Sequence, residues 1–251
     1  MQPLECLATR KVSSLEVKAS YFHDMRRLLS NRLYLCTVML LTSIYFILTG
    51  IQYWGPDYAI NVMNMESTET IQTYSIVTIT APILGVVFGG ALSHKFGGYT
   101  GSNAITLLCA LGCVATVCAL TSPYAGWSMF VALLWFVLFF GAALMPTLTG
   151  IMLRCVDEDL KPWASSFSGF LCNLLGYLPS PFIYGLVCQY TGGEKSPWGM
   201  FVNMNWGIFS LICMFGAYRC KEAYYRASLT DDQLLEALQN PLMRHTTQNT
   251  A

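Results

Sequence analysis

Charge is scarce in this chain, and its distribution decides most of what the chain can be. Asp, Glu, Lys and Arg supply 11% of the 251 residues, against 54% hydrophobic residues. A soluble domain carries roughly a quarter charged residues, so a water-wetted globule is excluded. No Asp, Glu, Lys, Arg or His falls deep inside the long apolar runs. The histidines His23, His94 and His245 all lie at or beyond run ends. No HExxH pair offers a site for an intramembrane metalloprotease, and no run pairs a serine with a base. Titratable groups at depth, which a proton relay needs, are missing too. The chain is therefore not expected to be an enzyme, and no cofactor is expected. No charged ring marks a channel filter. The first 30 residues hold no apolar core and small-residue cleavage site of a signal peptide, so the first run is expected to act as an uncleaved anchor.

Cysteine is plentiful, at ten residues, but most lie within the apolar runs. Cys109 and Cys113 are one helical turn apart with no His or carboxylate beside them. They read as small apolar packing residues, with no metal site.

Six apolar runs stand out: Leu33–Trp54, Ile71–Ser93, Ser102–Leu120, Trp127–Leu153, Trp163–Gln189 and Met200–Tyr218. Each is near the roughly 20 residues that cross a ~30 Å hydrocarbon core as a helix. Barrel strands need only about 10 alternating residues, and these runs are apolar all round. The expected fold is an all-α membrane protein with six transmembrane helices. The basic residues agree with that count. Arg10, Lys11, Lys18, Arg26, Arg27, Arg32, Lys95, Arg154, Lys161, Arg219, Lys221, Arg226 and Arg244 fall on one side of six crossings. Lys195 alone falls on the other. This asymmetry places both termini in the cytoplasm.

The expected organisation is a basic cytoplasmic segment (1–32), a six-helix domain (33–218) and a cytoplasmic tail (219–251). Ser13 and Glu16 resemble a capping box opening a surface helix towards Arg27. Thr230-Asp231-Asp232-Gln233 is a stronger box in the tail, with Leu229 and Leu234 as its staple.

Glycines and prolines punctuate the runs. Gly85, Gly89 and Gly90 form a small-residue face at the end of the second run, followed by His94, Lys95, Gly97 and Gly98. Such a face lets a neighbouring helix approach closely. An ordinary packing face with a glycine turn is the plainer alternative. Gly90, Lys95 and Gly97 resemble the loop motif of the major facilitator superfamily, with His94 where that family usually has Asp. Leu28–Tyr34, Gly50 and Trp54-Gly55-Pro56-Asp57-Tyr58 resemble the seventh helix of Spinster-like transporters. The stretch 174–185, Leu-Leu-Gly-Tyr-Leu-Pro-Ser-Pro-Phe-Ile-Tyr-Gly, resembles their eleventh, and organic-anion-transporting polypeptides share both patterns.

The resemblance implies a second, C-terminal half of the major facilitator fold, built as two inverted three-helix repeats. Gly50 with Pro56 and Gly141 with Pro146 fit such a repeat, as do Pro82 and Pro179 with Pro181. It also implies alternating-access transport of a small organic or amphipathic solute, at a plasma or endolysosomal membrane. The expected substrate contacts are Tyr45, Thr49, Gln52, Tyr53, Trp135, Asn173 and Tyr177. Uncharged aromatic and amide groups suit a weakly polar ligand. Interfacial anchoring is the reading for Trp54, and a helix–helix hydrogen bond is an alternative for Asn173. Besides the bilayer and the solute, the expected partner is a missing N-terminal half or a second copy. The alternative is a scaffold or half-transporter subunit that carries no solute.

Overall fold

The computed structural model describes residues 24–96 and 102–220. Among them the regular structure is helical. A short helix, α1, covers 24–30. The longer ones are α2 (Arg32–Asn61), α3 (Ser67–Lys95), α4 (Ser102–Thr121) and α5 (Trp127–Arg154). Then come α6 (Lys161–Leu171), a π-helical turn (Cys172–Tyr177), α7 (Pro179–Thr191) and α8 (Trp198–Asn205). The helix α9 covers 207–220. Six of these stretches are long and apolar enough to cross a membrane, among the described residues. The α6–π–α7 stretch is the fifth and α8–α9 the sixth.

Two of the apolar runs differ in detail from their helices. The first was expected to close at Trp54, but α2 continues to Asn61 with Pro56 inside it. Asp57 therefore joins a membrane-length helix near its end. The fifth is not one continuous α-helix, because the π turn interrupts it. The expected N-terminal surface helix is described only over 24–30, where it is helical. The tail helix and the Gly97–Gly98 turn lie outside the described residues.

The helices α3 and α4 pack chiefly on α5, while the π turn, α7 and α8 pack on α2. The helices α2 and α5 also meet, so they form the middle of the bundle. Two apolar clusters fill it. One, at the basic end, includes Tyr34, Val38, Leu108, Leu148 and Ile151. The other includes Ile51, Tyr58, Phe130, Leu134 and Met200.

The seam between α3 and α5 shows why a glycine repeat matters in lipid. Val77, Ala81, Gly85, Gly89 and Ser93 are all buried, one every four residues, so they form a single stripe. A Cβ on Gly85 would collide with the carbonyl oxygen of Phe139, and one on Gly89 with that of Ala143. Without these glycines the backbones could not meet. Ser93 Oγ and Thr147 Oγ1 then share a hydrogen bond of 2.5 Å across the seam. The opposite face of α3 exposes Ile76, Ile79, Ile83 and Val87, as a lipid-facing side should.

The basic end is tied down by polar contacts. Asn31 caps α2, its Oδ1 accepting from the Tyr34 N–H at 3.1 Å. Its Nδ2 donates to the Cys155 carbonyl at 2.5 Å. Leu28 of α1 is buried, and Arg27 pairs with Asp157 at 2.7 Å. Burial pushes the Cys155 thiol up to about 12, so it stays protonated.

Candidate functional site

Tyr45, Thr49, Gln52 and Tyr53 follow one another at helical spacing along one face of α2. Gln52 and Tyr53 are exposed, while Tyr45 and Thr49 are half-buried. Thr49 Oγ1 donates to the Tyr45 carbonyl at 2.7 Å, which leaves its oxygen free to accept. Tyr45 meets Tyr177 of the π turn, with ring centroids 4.8 Å apart. Gly176 makes the approach possible: a Cβ there would lie 2.9 Å from the Thr42 carbonyl oxygen. Beside Tyr177 lies a shallow, open cleft of about 500 Å3 lined by Phe170, Asn173, Leu174, Tyr177 and Leu178, all from the fifth span. The structure thus brings Tyr45 of α2 to Tyr177, with Asn173 in the lining beside them, while Thr49, Gln52 and Tyr53 follow along the same face of α2.

Trp135 stands elsewhere. Its Nε1 donates to Thr80 Oγ1 of α3 at 3.1 Å, and its ring stacks on Phe139. The indole belongs to the α3–α5 seam.

The amide of Asn173 bonds within its own helix, Nδ2 to the Gly169 carbonyl at 2.8 Å, and not across to another helix. The interhelical amide is Asn203 of α8, which is buried and was not singled out in the sequence. Its Nδ2 donates to the Ile47 carbonyl of α2 at 3.2 Å. Ser180 joins it, donating to the Phe46 carbonyl at 2.6 Å, with Asn203 Oδ1 3.5 Å away. Gly50 makes room, since a Cβ there would lie 2.5 Å from Asn203 Cγ. A polar residue inside an apolar run facing a glycine on another was the available signal.

Trp54, read from the sequence as an interfacial anchor, packs between two helices. Its Nε1 donates to the Pro181 carbonyl at 3.0 Å, and its ring stacks on Tyr184 at 4.9 Å. Gly185 leaves the space for it, since a Cβ there would be 3.3 Å from the indole. The indole braces α2 against α7 beside a cleft of about 260 Å3 that Asp57 and Glu194 also line. Asp57 accepts a hydrogen bond from Asn61 at 2.8 Å.

Of the glycine motif, Gly85 and Gly89 lie in the α3–α5 seam. Gly90 does not: a Cβ there would meet nothing within 4 Å. The four-residue period that buries 85 and 89 turns 90 away. His94 and Lys95 are exposed at the end of α3, and Gly97 and Gly98 lie outside the described residues.

Comparison with known proteins gives this geometry a context. Residues 124–191, from the turn before α5 through α7, match the Organic Anion Transporter Polypeptide (OATP) family. The chain is 28% identical over 202 residues to the probable sphingolipid transporter spinster homolog 2 of Arabidopsis thaliana, covering 76% of this chain and 37% of that protein. The chain is homologous to the spinster transporters. Protein spinster homolog 1 of Xenopus tropicalis is 22% identical over 221 residues, covering 82% of this chain and 42% of the relative. The sphingosine-1-phosphate transporter SPNS2 of Danio rerio is 20% identical over 229 residues, covering 85% and 45%. The chain spans less than half the length of these curated relatives. With six membrane-length helices among the described residues and spinster homologues over most of its length, it is a multi-pass membrane protein. The stretch 174–185 lies within the matched residues 124–191, so its resemblance to organic-anion-transporting polypeptides is borne out.

Proposed function

We propose that this chain is the C-terminal six-helix half of a major facilitator transporter and moves an amphipathic solute by alternating access. Its helices are read as two inverted three-helix repeats, with both termini cytoplasmic. The second wall of the path is an N-terminal half or a second copy. The observation that carries this reading is the wall formed by α2 and the π turn. There Tyr45 packs against Tyr177 with the rings tilted, Asn173 lines the adjoining cleft, and Gln52 and Tyr53 stay exposed on the same side of α2. An aromatic, uncharged surface of this kind suits a lipid-like solute. Two relatives are named as sphingolipid and sphingosine-1-phosphate transporters, which makes a long-chain sphingoid base the first probe.

The test is uptake of fluorescent sphingosine into proteoliposomes holding the chain. Uptake is expected, and Asn173→Ala and Gln52→Ala are expected to cut it several-fold at equal protein incorporation. Normal uptake in both variants would remove this site. Zero flux with every solute, alone or with a co-expressed N-terminal half, would favour the non-transporting scaffold.

A further inference from the structure

The cleft beside Tyr177 owes its chemistry to a break in the backbone ladder. In the π turn the Leu178 N–H bonds to the Asn173 carbonyl, five residues back, at 3.0 Å. The next donor in that register is residue 179, a proline with no N–H. That register therefore offers the Leu174 carbonyl no N–H from residue 179, and Leu174 lines the cleft. The Asn173 side chain spends its Nδ2 on Gly169, which leaves Oδ1 as an acceptor at the same place. Around these oxygens the lining is apolar, from Phe170, Leu174 and Leu178. Neither α2 beyond Arg32 nor the fifth span beyond Lys161 contains a Lys or Arg. Single π turns of this kind recur at functional sites because they leave backbone groups open.

We infer that the π turn binds the hydrogen-bond-donating head of an amphipathic solute, a hydroxyl or ammonium group, through Asn173 Oδ1 and the Leu174 carbonyl. The apolar part of the solute lies along Phe170 and Leu178. An anionic head finds no countercharge on this wall and must be held from elsewhere. The inference rests on the reading that this wall faces the solute, and it adds which end of the solute the wall reads.

The experiment compares two probes of equal chain length on the full chain in detergent: 1-monoolein, with two hydroxyls, and its dimethyl ether, with none. Competition against radiolabelled monoolein gives both affinities. The wild type is expected to prefer the diol about tenfold, as one or two neutral hydrogen bonds predict. Asn173→Leu removes the side-chain acceptor. Pro179→Ala supplies an N–H that competes for the Leu174 carbonyl. Either variant should shrink the preference to about twofold or less while leaving ether affinity unchanged, which shows that the wall is intact. The second variant serves if the first does not fold. Equal affinity of the two probes for the wild type overturns the proposal, and so does full preference in a folded variant. A preserved preference with no flux in liposomes would leave this site standing and sink the transport reading. Flux without the preference would do the reverse.

Discussion

Along α3, the residue at every fourth position from Val77 to Ser93 is buried against α5, whereas the fifth span passes from α to π and back opposite α2. At the first seam the backbones meet through Gly85 and Gly89, and Ser93–Thr147 closes it with a hydrogen bond. At the second, apart from Gly176 against the Thr42 carbonyl, the contact is made mostly by side chains: Tyr45 on Tyr177, Trp54 on Tyr184, Ser180 and Asn203 on α2 carbonyls. A backbone-to-backbone seam tolerates almost no added volume, since its partners cannot move aside. A seam of side chains and prolines leaves room for a cleft. The difference places rigidity on the α3 side and the proposed solute site on the α2 side.

The largest expected effect breaks the first seam. Gly89→Leu should destabilise the detergent-solubilised protein by about 3 kcal/mol, as overpacking against a fixed carbonyl does. Gly90→Leu, one residue away but facing open space, should change stability by less than about 0.5 kcal/mol. Thermal unfolding of both variants checks this, and equal losses would show that the stripe does not set the seam. A middle-sized effect separates two asparagines on the α2 side. Asn203→Ala should cost about 1–3 kcal/mol, because it opens a buried hydrogen-bonded group between α8 and α2. Asn173→Ala should cost less than about 0.5 kcal/mol, because its amide bonds only within its own exposed turn. The reverse ranking in the same assay would mean that the structural and solute-facing amides are interchanged. The smallest effect tests the brace between α2 and α7. Trp54→Phe keeps an aromatic ring beside Tyr184 but loses the bond to Pro181, at a cost of about 1 kcal/mol. No measurable change would return Trp54 to the role of a surface anchor.

Much of this architecture is legible along the chain, because lipid imposes its rule locally. A run near 20 apolar residues must satisfy its own backbone, so the six spans follow from composition and length. Gly85 and Gly89 announce themselves by their spacing, and Tyr45, Asn173 and Tyr177 by being polar or aromatic in apolar surroundings. Less accessible were features that depend on a partner from far along the chain. Trp54 could be read as an anchor because Pro181 and Tyr184 are more than a hundred residues away. The bond of Trp135 to Thr80 of α3 likewise shows only once the two helices are packed. Gly90 shares composition with Gly89 but not its direction.

By itself the sequence determined the number of membrane-length helices, their Spinster-like pattern and the absence of charge from their depths. Hydrophobic length is a property of each segment alone. Tertiary structure decided which glycines carry the seam, which asparagine is buried between helices, and where the fifth span shifts to a π turn beside Tyr45. Each of these depends on which backbone lies opposite, and only the packed bundle supplies that.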